Sequence, residues 1–292
     1  MVKFCTIVRQ DSKKTLNIGG EIRALDRPLV MGILNITPDS FYEGSRITDA
    51  RSEDLVSRAG HLLGQGASIL DIGGYSTRPG AREISAAEEL DRVLPAITAV
   101  RRHFPGAAIS IDTFRAEVAK AAVHAGAHII NDVSGGNLDP EMFETVAGLK
   151  VPYVLMHMRG TPQTMNSLTD YHSFPADVIR ELREKLARLR ELGAADIIID
   201  PGFGFAKTSA QNFALLSALP LFGQLGCPIM VGVSRKSTIY KALGVSPGEA
   251  LNGTTVLNTI ALMNGAHILR VHDAAEARQA IILTEQVTNS KL

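Results

Sequence analysis

The chain is 292 residues long, 45% hydrophobic and 21% charged, with 30 Lys plus Arg against 30 Asp plus Glu. This composition excludes a globally disordered chain, and the charge balance excludes a nucleic-acid surface spread over the whole molecule. A local basic pocket for a small anion is still compatible with it. Cys5 and Cys227 lack metal-ligand spacing, which excludes a disulfide scaffold and a zinc site and fits a reducing compartment. The opening MVKFCTIVRQDSKK lacks the apolar core of a signal peptide, and no apolar run approaches the roughly 18 residues of a membrane span. A soluble cytoplasmic protein with no membrane partner is expected.

In chain order, TLNIGGEIRAL (15–25) reads as a hairpin turning on Gly-Gly, placed to close the bottom of whatever follows. From residue 29 a rhythm begins. Apolar, β-branched runs at 29–35, 68–73, 107–112, 128–132, 152–157, 196–200, 228–233 and 267–272 alternate with segments of helical period. The runs are almost continuously apolar, as parallel strands buried on both faces are. Helices are expected at 115–126, stopping at Gly126, and at 175–193, stopping at Gly193. The last helix is expected to open on a capping box of Asp273 and Glu276. Eight such units predict a (β/α)8 TIM barrel, residues 29–292, behind an N-terminal extension of residues 1–28.

Polar residues collect at the strand ends: Asn35, Asp71, Asp112, Asn131, His157, Asp200, Ser234-Arg235-Lys236, Arg270 and His272. In such barrels that end carries the active site. Each has a plainer reading. Asp112 is also placed to cap the next helix, Asn131 to orient its own turn, and His157 in LMHM to be a satisfied buried histidine. The IIIDPGFGFAK segment is harder to read plainly. An aspartate at a rigid strand end, among glycines and phenylalanines, suits a flat heterocycle with an amidine-like edge. Asp112 and Asn131 would complete the donor and acceptor positions of a pterin-like or purine-like ring. Arg78, Lys236, Arg270 and His272 form an anion side, without a P-loop or a Rossmann fingerprint. The Asn35 amide oxygen is a candidate ligand for Mg²⁺, which keeps most of its waters and leans on substrate phosphates.

Eight motifs in order resemble the dihydropteroate synthase family, the folate-pathway enzymes targeted by sulfonamides. They are MGILNITPDSF, DIGGYSTRPGA, SIDTFR, INDVSGG, VLMHMRGTPQTM, DPGFGFAK, GVSRKS and RVHD, and the likeness runs from about residue 29 to 285. The resemblance implies attack by the amine of p-aminobenzoate on the methylene carbon of 6-hydroxymethyl-7,8-dihydropterin diphosphate, with loss of pyrophosphate. It places Asp112, Asn131, Asp200 and Lys236 on the pterin, with Met156 and Phe205 against the ring and Arg270 over one face. It places Asn35, Thr77, Arg78, Arg270 and His272 on the diphosphate side, with Mg²⁺ bridging to Asn35. Thr77, Pro79, Phe203, Ser234 and Lys236 fall on the p-aminobenzoate or sulfonamide side, and Asp112, Lys236, Arg270 and His272 are the expected catalytic groups.

Residues 36–48 and 73–83 are the expected mobile loops. A homodimer is implied, with the apolar helix 249–266 as a candidate contributor. Tyr75 is the visible departure, standing where many members carry glutamate in GGEST. Two other readings stand beside this one: a barrel passing a methyl group from methyltetrahydrofolate to a corrinoid protein, and a non-catalytic pterin binder. Neither has use for the anion side.

Overall fold

The computed structural model describes residues 15–36, 49–76 and 82–290. Thr77, Arg78 and Pro79 lie outside the described residues, as do most of the two expected loops.

β1 (Thr15–Ile18) and β2 (Glu21–Ala24) form the antiparallel hairpin, turning on Gly19 and Gly20, both at positive φ. Eight parallel strands follow: β3 (Leu29–Asn35), β4 (Ile69–Gly73), β5 (Ala108–Asp112), β6 (Ile129–Asp132), β7 (Tyr153–Met156), β8 (Ile197–Asp200), β9 (Met230–Val231) and β10 (Ile268–Val271). They pair in the order β8-β7-β6-β5-β4-β3-β10-β9. The two ends of that order meet where Ile199 bridges Ile229 and the Ile199 amide donates to Pro228 O at 2.8 Å. Closing the ring removes the exposed strand edges that invite aggregation.

Helices α1 (Asp49–Gly64), α2 (Ala86–His103), α3 (Ala116–His124), α4 (Met142–Leu149), α5 (Ala176–Glu191), α6 (Ser209–Ser217), α7 (Ser237–Leu243), α8 (Leu251–Met263) and α9 (Ala274–Asn289) alternate with the strands. The chain is the (β/α)8 barrel with the hairpin that its periodicity predicts. α3 and α5 are shorter than their sequence patterns by one or two residues at each end. Arg115 and Pro175 serve as N-caps, and Ala125 and Leu192 as C-caps. The capping box expected at α9 is absent: Asp273 makes no side-chain cap, because Arg235 takes both its oxygens, each at 2.8 Å.

The period of two along each strand sorts side chains into two cores. Outward residues such as Leu70, Ile72, Ile109, Ile111, Leu155, Ile199 and Leu269 pack under the helices with Val93, Ile97, Val118, Leu182 and Leu186. Inward residues near the strand starts make a separate layer of Met31, Ile69, Ala108, Ile129, Val154, Ile198, Met230 and Ile268. Leu16, Ile18 and Leu25 of the hairpin segment pack on this layer, so the hairpin closes the barrel floor as expected. Each fully buried leucine or isoleucine here contributes roughly 1.5–3 kcal/mol.

Candidate active site

Two residues beyond the apolar floor, the same inward face turns polar. β4 brings Asp71, β5 Ser110, β6 Asn131, β8 Asp200 and β10 Arg270, while β7 brings Met156. Another two residues along are Asn35 and Asp112, on either side of Gly73. A Cβ on that glycine would lie 3.4 Å from both Asn35 Oδ1 and Asp112 Cβ. The strand alternation that buries leucines outward thus aims carboxylates, an amide and a guanidinium at one mouth.

Arg270 is the hub. Its Nε donates to Asp71 Oδ2 at 2.6 Å and its Nη2 to Asp112 Oδ2 at 2.6 Å, while Asn131 Nδ2 donates to Asp71 Oδ2 at 3.0 Å. Burial disfavours the Arg270 charge, but Asp71 and Asp112 outweigh it and hold the guanidinium more basic than usual. Burial pushes the Asp112 carboxyl up to about 7 against the pull of Arg270, with Asp71 adding to the rise. Burial also raises Asp200, opposed by the Lys236 charge and by the Gly202 amide, which donates to Oδ1 at 2.8 Å.

Lys236 reaches across from the end of the β9 segment. Its Nζ donates to Phe203 O at 2.5 Å and stands 4.7 Å from the centre of the Phe205 ring. Burial lowers its pKa to about 8, partly offset by Asp200. Gly204, at φ 79°, leaves it room: a Cβ there would come within 3.2 Å of Lys236 Cδ. Met156, Met158, Met165 and Val133 form an apolar wall with Ala206, against which Phe205 and Phe114 pack. Phe203 is 3% exposed and belongs to the main core, so its carbonyl rather than an open ring face meets Lys236.

At the rim, Ser234 Oγ lies 3.0 Å from His272 Nδ1 and accepts from the His272 amide at 3.2 Å. Arg235, between Ser234 and Lys236, has positive φ. That turn sends its side chain out of the mouth to Asp273 and to the carbonyls of Pro247 and Gly248. Among the described residues, no group of three or more His, Cys, Asp or Glu is placed to hold a metal ion by itself.

Asp71 and Lys207 are among the inward or buried groups that escape the sequence reading. The sequence marks Asp71 only as a strand end, although its register with Ile69 and Gly73 puts it on the inner face. Lys207, the last residue of DPGFGFAK, is buried with Nζ 3.0 Å from Gly202 O, Phe205 O and His157 Nδ1. Burial brings its pKa down to about 7. His157 turns Nε2 to Glu181 at 3.0 Å, and burial lowers its pKa to about 4, so it is a neutral, satisfied histidine. Glu181 also holds Arg159, which lies over the Tyr171 ring, and Tyr171 donates to Ala206 O at 2.9 Å. The whole loop bearing Asp200 is clamped from behind. His128 and His267 accept from the amides of Ile109 and Ile229, which are structural roles.

Tyr75 meets Phe114 edge to face at 5.1 Å, and the Arg115 guanidinium lies 5.2 Å from its ring. Arg115 is itself paired with the buried Glu89. Arg92 holds Gly74 O at 2.9 Å, so α2 fixes the start of the second loop.

The match to the pterin binding enzyme family runs from Met31 to His272 and so takes in every inward polar position described above. The dihydropteroate synthase of Escherichia coli strain K12 is 43% identical over 269 residues, covering 91% of this chain and 94% of its own. Xanthomonas albilineans dihydropteroate synthase with 4-aminobenzoic acid superposes with TM-score 0.88 at 40% identity, covering 95% of this chain and 99% of that one. The Yersinia pestis dihydropteroate synthase in a sulfonamide drug complex gives TM-score 0.87 at 39% identity, covering 94% and 100%. Sequence likeness along nearly its full length and a shared fold agree with the polar lining of the barrel mouth, and the chain belongs to the pterin binding enzyme family.

Proposed function

We infer that the chain acts as a dihydropteroate synthase, a transferase of folate synthesis. It condenses 6-hydroxymethyl-7,8-dihydropterin diphosphate with p-aminobenzoate to give 7,8-dihydropteroate and pyrophosphate. The observation that carries this reading is the inward layer of Asp71, Asn131, Asp200 and Arg270, with Asp112 and Lys236 above it, on a closed apolar floor.

In this reading the acceptors Asp112, Asn131 and Asp200 take the donor-rich edge of the pterin, while Met156 and Phe205 cover its apolar face. Lys236 and Arg270 supply the cations. As the carbon–oxygen bond breaks, positive charge grows on the pterin and negative charge on the leaving diphosphate. Asp112 and Asp200 face the first; Arg270 and His272 face the second, so preorganised charges stabilise both halves of the transition state. The amine of p-aminobenzoate attacks the methylene carbon through its own lone pair as the diphosphate leaves, and sheds one proton to water once the new bond forms. No side-chain nucleophile is needed. Ser234 and Lys236, with Phe203 behind them, are assigned to the p-aminobenzoate side, where a sulfonamide would compete. Thr77, Arg78 and Pro79 are assigned to the same mouth from the sequence alone.

Asn35 offers one neutral oxygen, and among the described residues no group of three or more His, Cys, Asp or Glu adds a cage, which fits a Mg²⁺ carried in by the diphosphate and its waters. Bound there with the substrate, the ion would neutralise charge developing on the leaving group. The face of α8 and α9 bearing Val256, Ile260, Met263, Leu283 and Val287 is apolar and exposed at helical spacing, which supports the proposed homodimer. No helix among the described residues is long and apolar enough to cross a membrane, and a cytoplasmic location is part of the proposal.

The test is pyrophosphate release from purified protein given the pterin diphosphate, p-aminobenzoate and Mg²⁺. Release that depends on p-aminobenzoate is expected; a folded sample with none would defeat the reading.

A further inference from the structure

Barrel interiors stack in layers of four side chains drawn from alternate strands. In this chain one such layer is Asp71 of β4, Asn131 of β6, Asp200 of β8 and Arg270 of β10. Three of its members are assigned to substrate. The fourth, Asp71, is fully buried and sits between the other strands of its half-ring. Its Oδ2 accepts Arg270 Nε from two strands to one side at 2.6 Å and Asn131 Nδ2 from two strands to the other at 3.0 Å.

We propose that Asp71 is a positioning residue that fixes how both Arg270 and Asn131 meet the pterin diphosphate. The proposal rests on the synthase reading above. Two consequences follow from the geometry. With Nε tied to Asp71, the planar guanidinium cannot rotate freely, and its Nη2 edge is the one aimed at Asp112. A carboxylate also has no hydrogen to give, so Asn131 must present its nitrogen to Asp71, and its Oδ1 becomes the atom offered as an acceptor. Without that constraint either end of the amide would serve. Asp71 thereby completes an all-acceptor set with Asp112 and Asp200, matched to a ring edge rich in N–H donors, and sets the cation beside it.

The isosteric Asp71→Asn variant separates this from simple scaffolding. An asparagine at 71 loses the charge that holds Arg270 and lets the Asn131 amide turn either way. Calorimetry with a pterin base lacking the diphosphate should show binding at least tenfold weaker. The KM for p-aminobenzoate at saturating pterin diphosphate should stay within about twofold. Wild-type pterin affinity in the folded variant would overturn the proposal. So would a KM for p-aminobenzoate raised by the same factor as the pterin dissociation constant, since that marks a general loosening. If Asp71→Asn does not fold, nuclear magnetic resonance of the ligand-free wild type decides. A slowly exchanging Arg270 Nε–H supports the proposal, and exchange at the rate of a free arginine overturns it. That measurement needs no turnover, so it still judges Asp71 if wild-type protein releases no pyrophosphate and the synthase reading falls.

Discussion

Replacing Lys207 with methionine tests whether a buried ammonium really lies behind the loop that carries Asp200. Burial takes the Lys207 pKa from 10.5 to about 7. At roughly 1.4 kcal/mol per pH unit, keeping that proton in the folded protein costs on the order of 5 kcal/mol. The sign of the effect is fixed by where protons bind. Between pH 7 and 10.5 the unfolded lysine keeps its proton while the folded one has released it, so raising the pH favours the folded state. Lys207→Met has no such proton. It also loses the donors to Gly202 O, Phe205 O and His157 Nδ1, worth roughly 1 kcal/mol each. Near pH 6 the relieved ammonium outweighs the three lost hydrogen bonds, and the variant should be ahead by about 2 kcal/mol. Urea denaturation of both proteins from pH 6 to 9.5 should show the wild type gaining on the variant by about 1.4 kcal/mol per unit above pH 7, a change of about 3.5 kcal/mol by the top of the range. Parallel stability curves above pH 7 would refute the argument.

Arg270→Lys should lower kcat/KM by at least about a hundredfold, roughly 3 kcal/mol, because an ammonium cannot reproduce the two-pronged contact with Asp71 and Asp112; steady-state pyrophosphate release measures it. Tyr75→Glu should leave turnover within about tenfold, since Arg115 already has Glu89 as its partner and Tyr75 meets it only through the ring; a much larger loss would give Tyr75 a chemical role. Ile260→Glu, set in the exposed apolar face of α8, should shift sedimentation from the proposed dimer to monomer while leaving the barrel's circular dichroism unchanged; a variant that sediments like the wild type would remove this face from the proposed interface.

The fold was legible because backbone periodicity carries it. A strand with period two, buried on both faces, must send alternate residues inward. Once the apolar runs are placed, Asn35, Asp112, Asn131, Asp200, Arg270 and His272 are placed with them, and the turn from apolar to polar near each strand end marks the mouth. Helix ends were legible to within one or two residues for the same local reason: Gly126 and Gly193 stop α3 and α5 at positive φ.

Pairing across the ring was not legible, because nothing local encodes it. Arg270 finds its carboxylates 199 and 158 residues away, at Asp71 and Asp112, and Lys207 finds His157 at a separation of 50. The same competition explains the misread start of α9. A capping box offers Asp273 a single neutral amide donor. Arg235 offers two charge-assisted bonds from a rigid fork, each about twice as strong as a neutral one. The long-range partner wins, with Arg235 at positive φ and turned away from the mouth. A backbone conformation unfavourable for arginine is thereby held by its side-chain pairing, and it leaves Ser234 and Lys236 facing the site. The charge that sequence reading would have counted at the mouth belongs instead to the wall that shapes it.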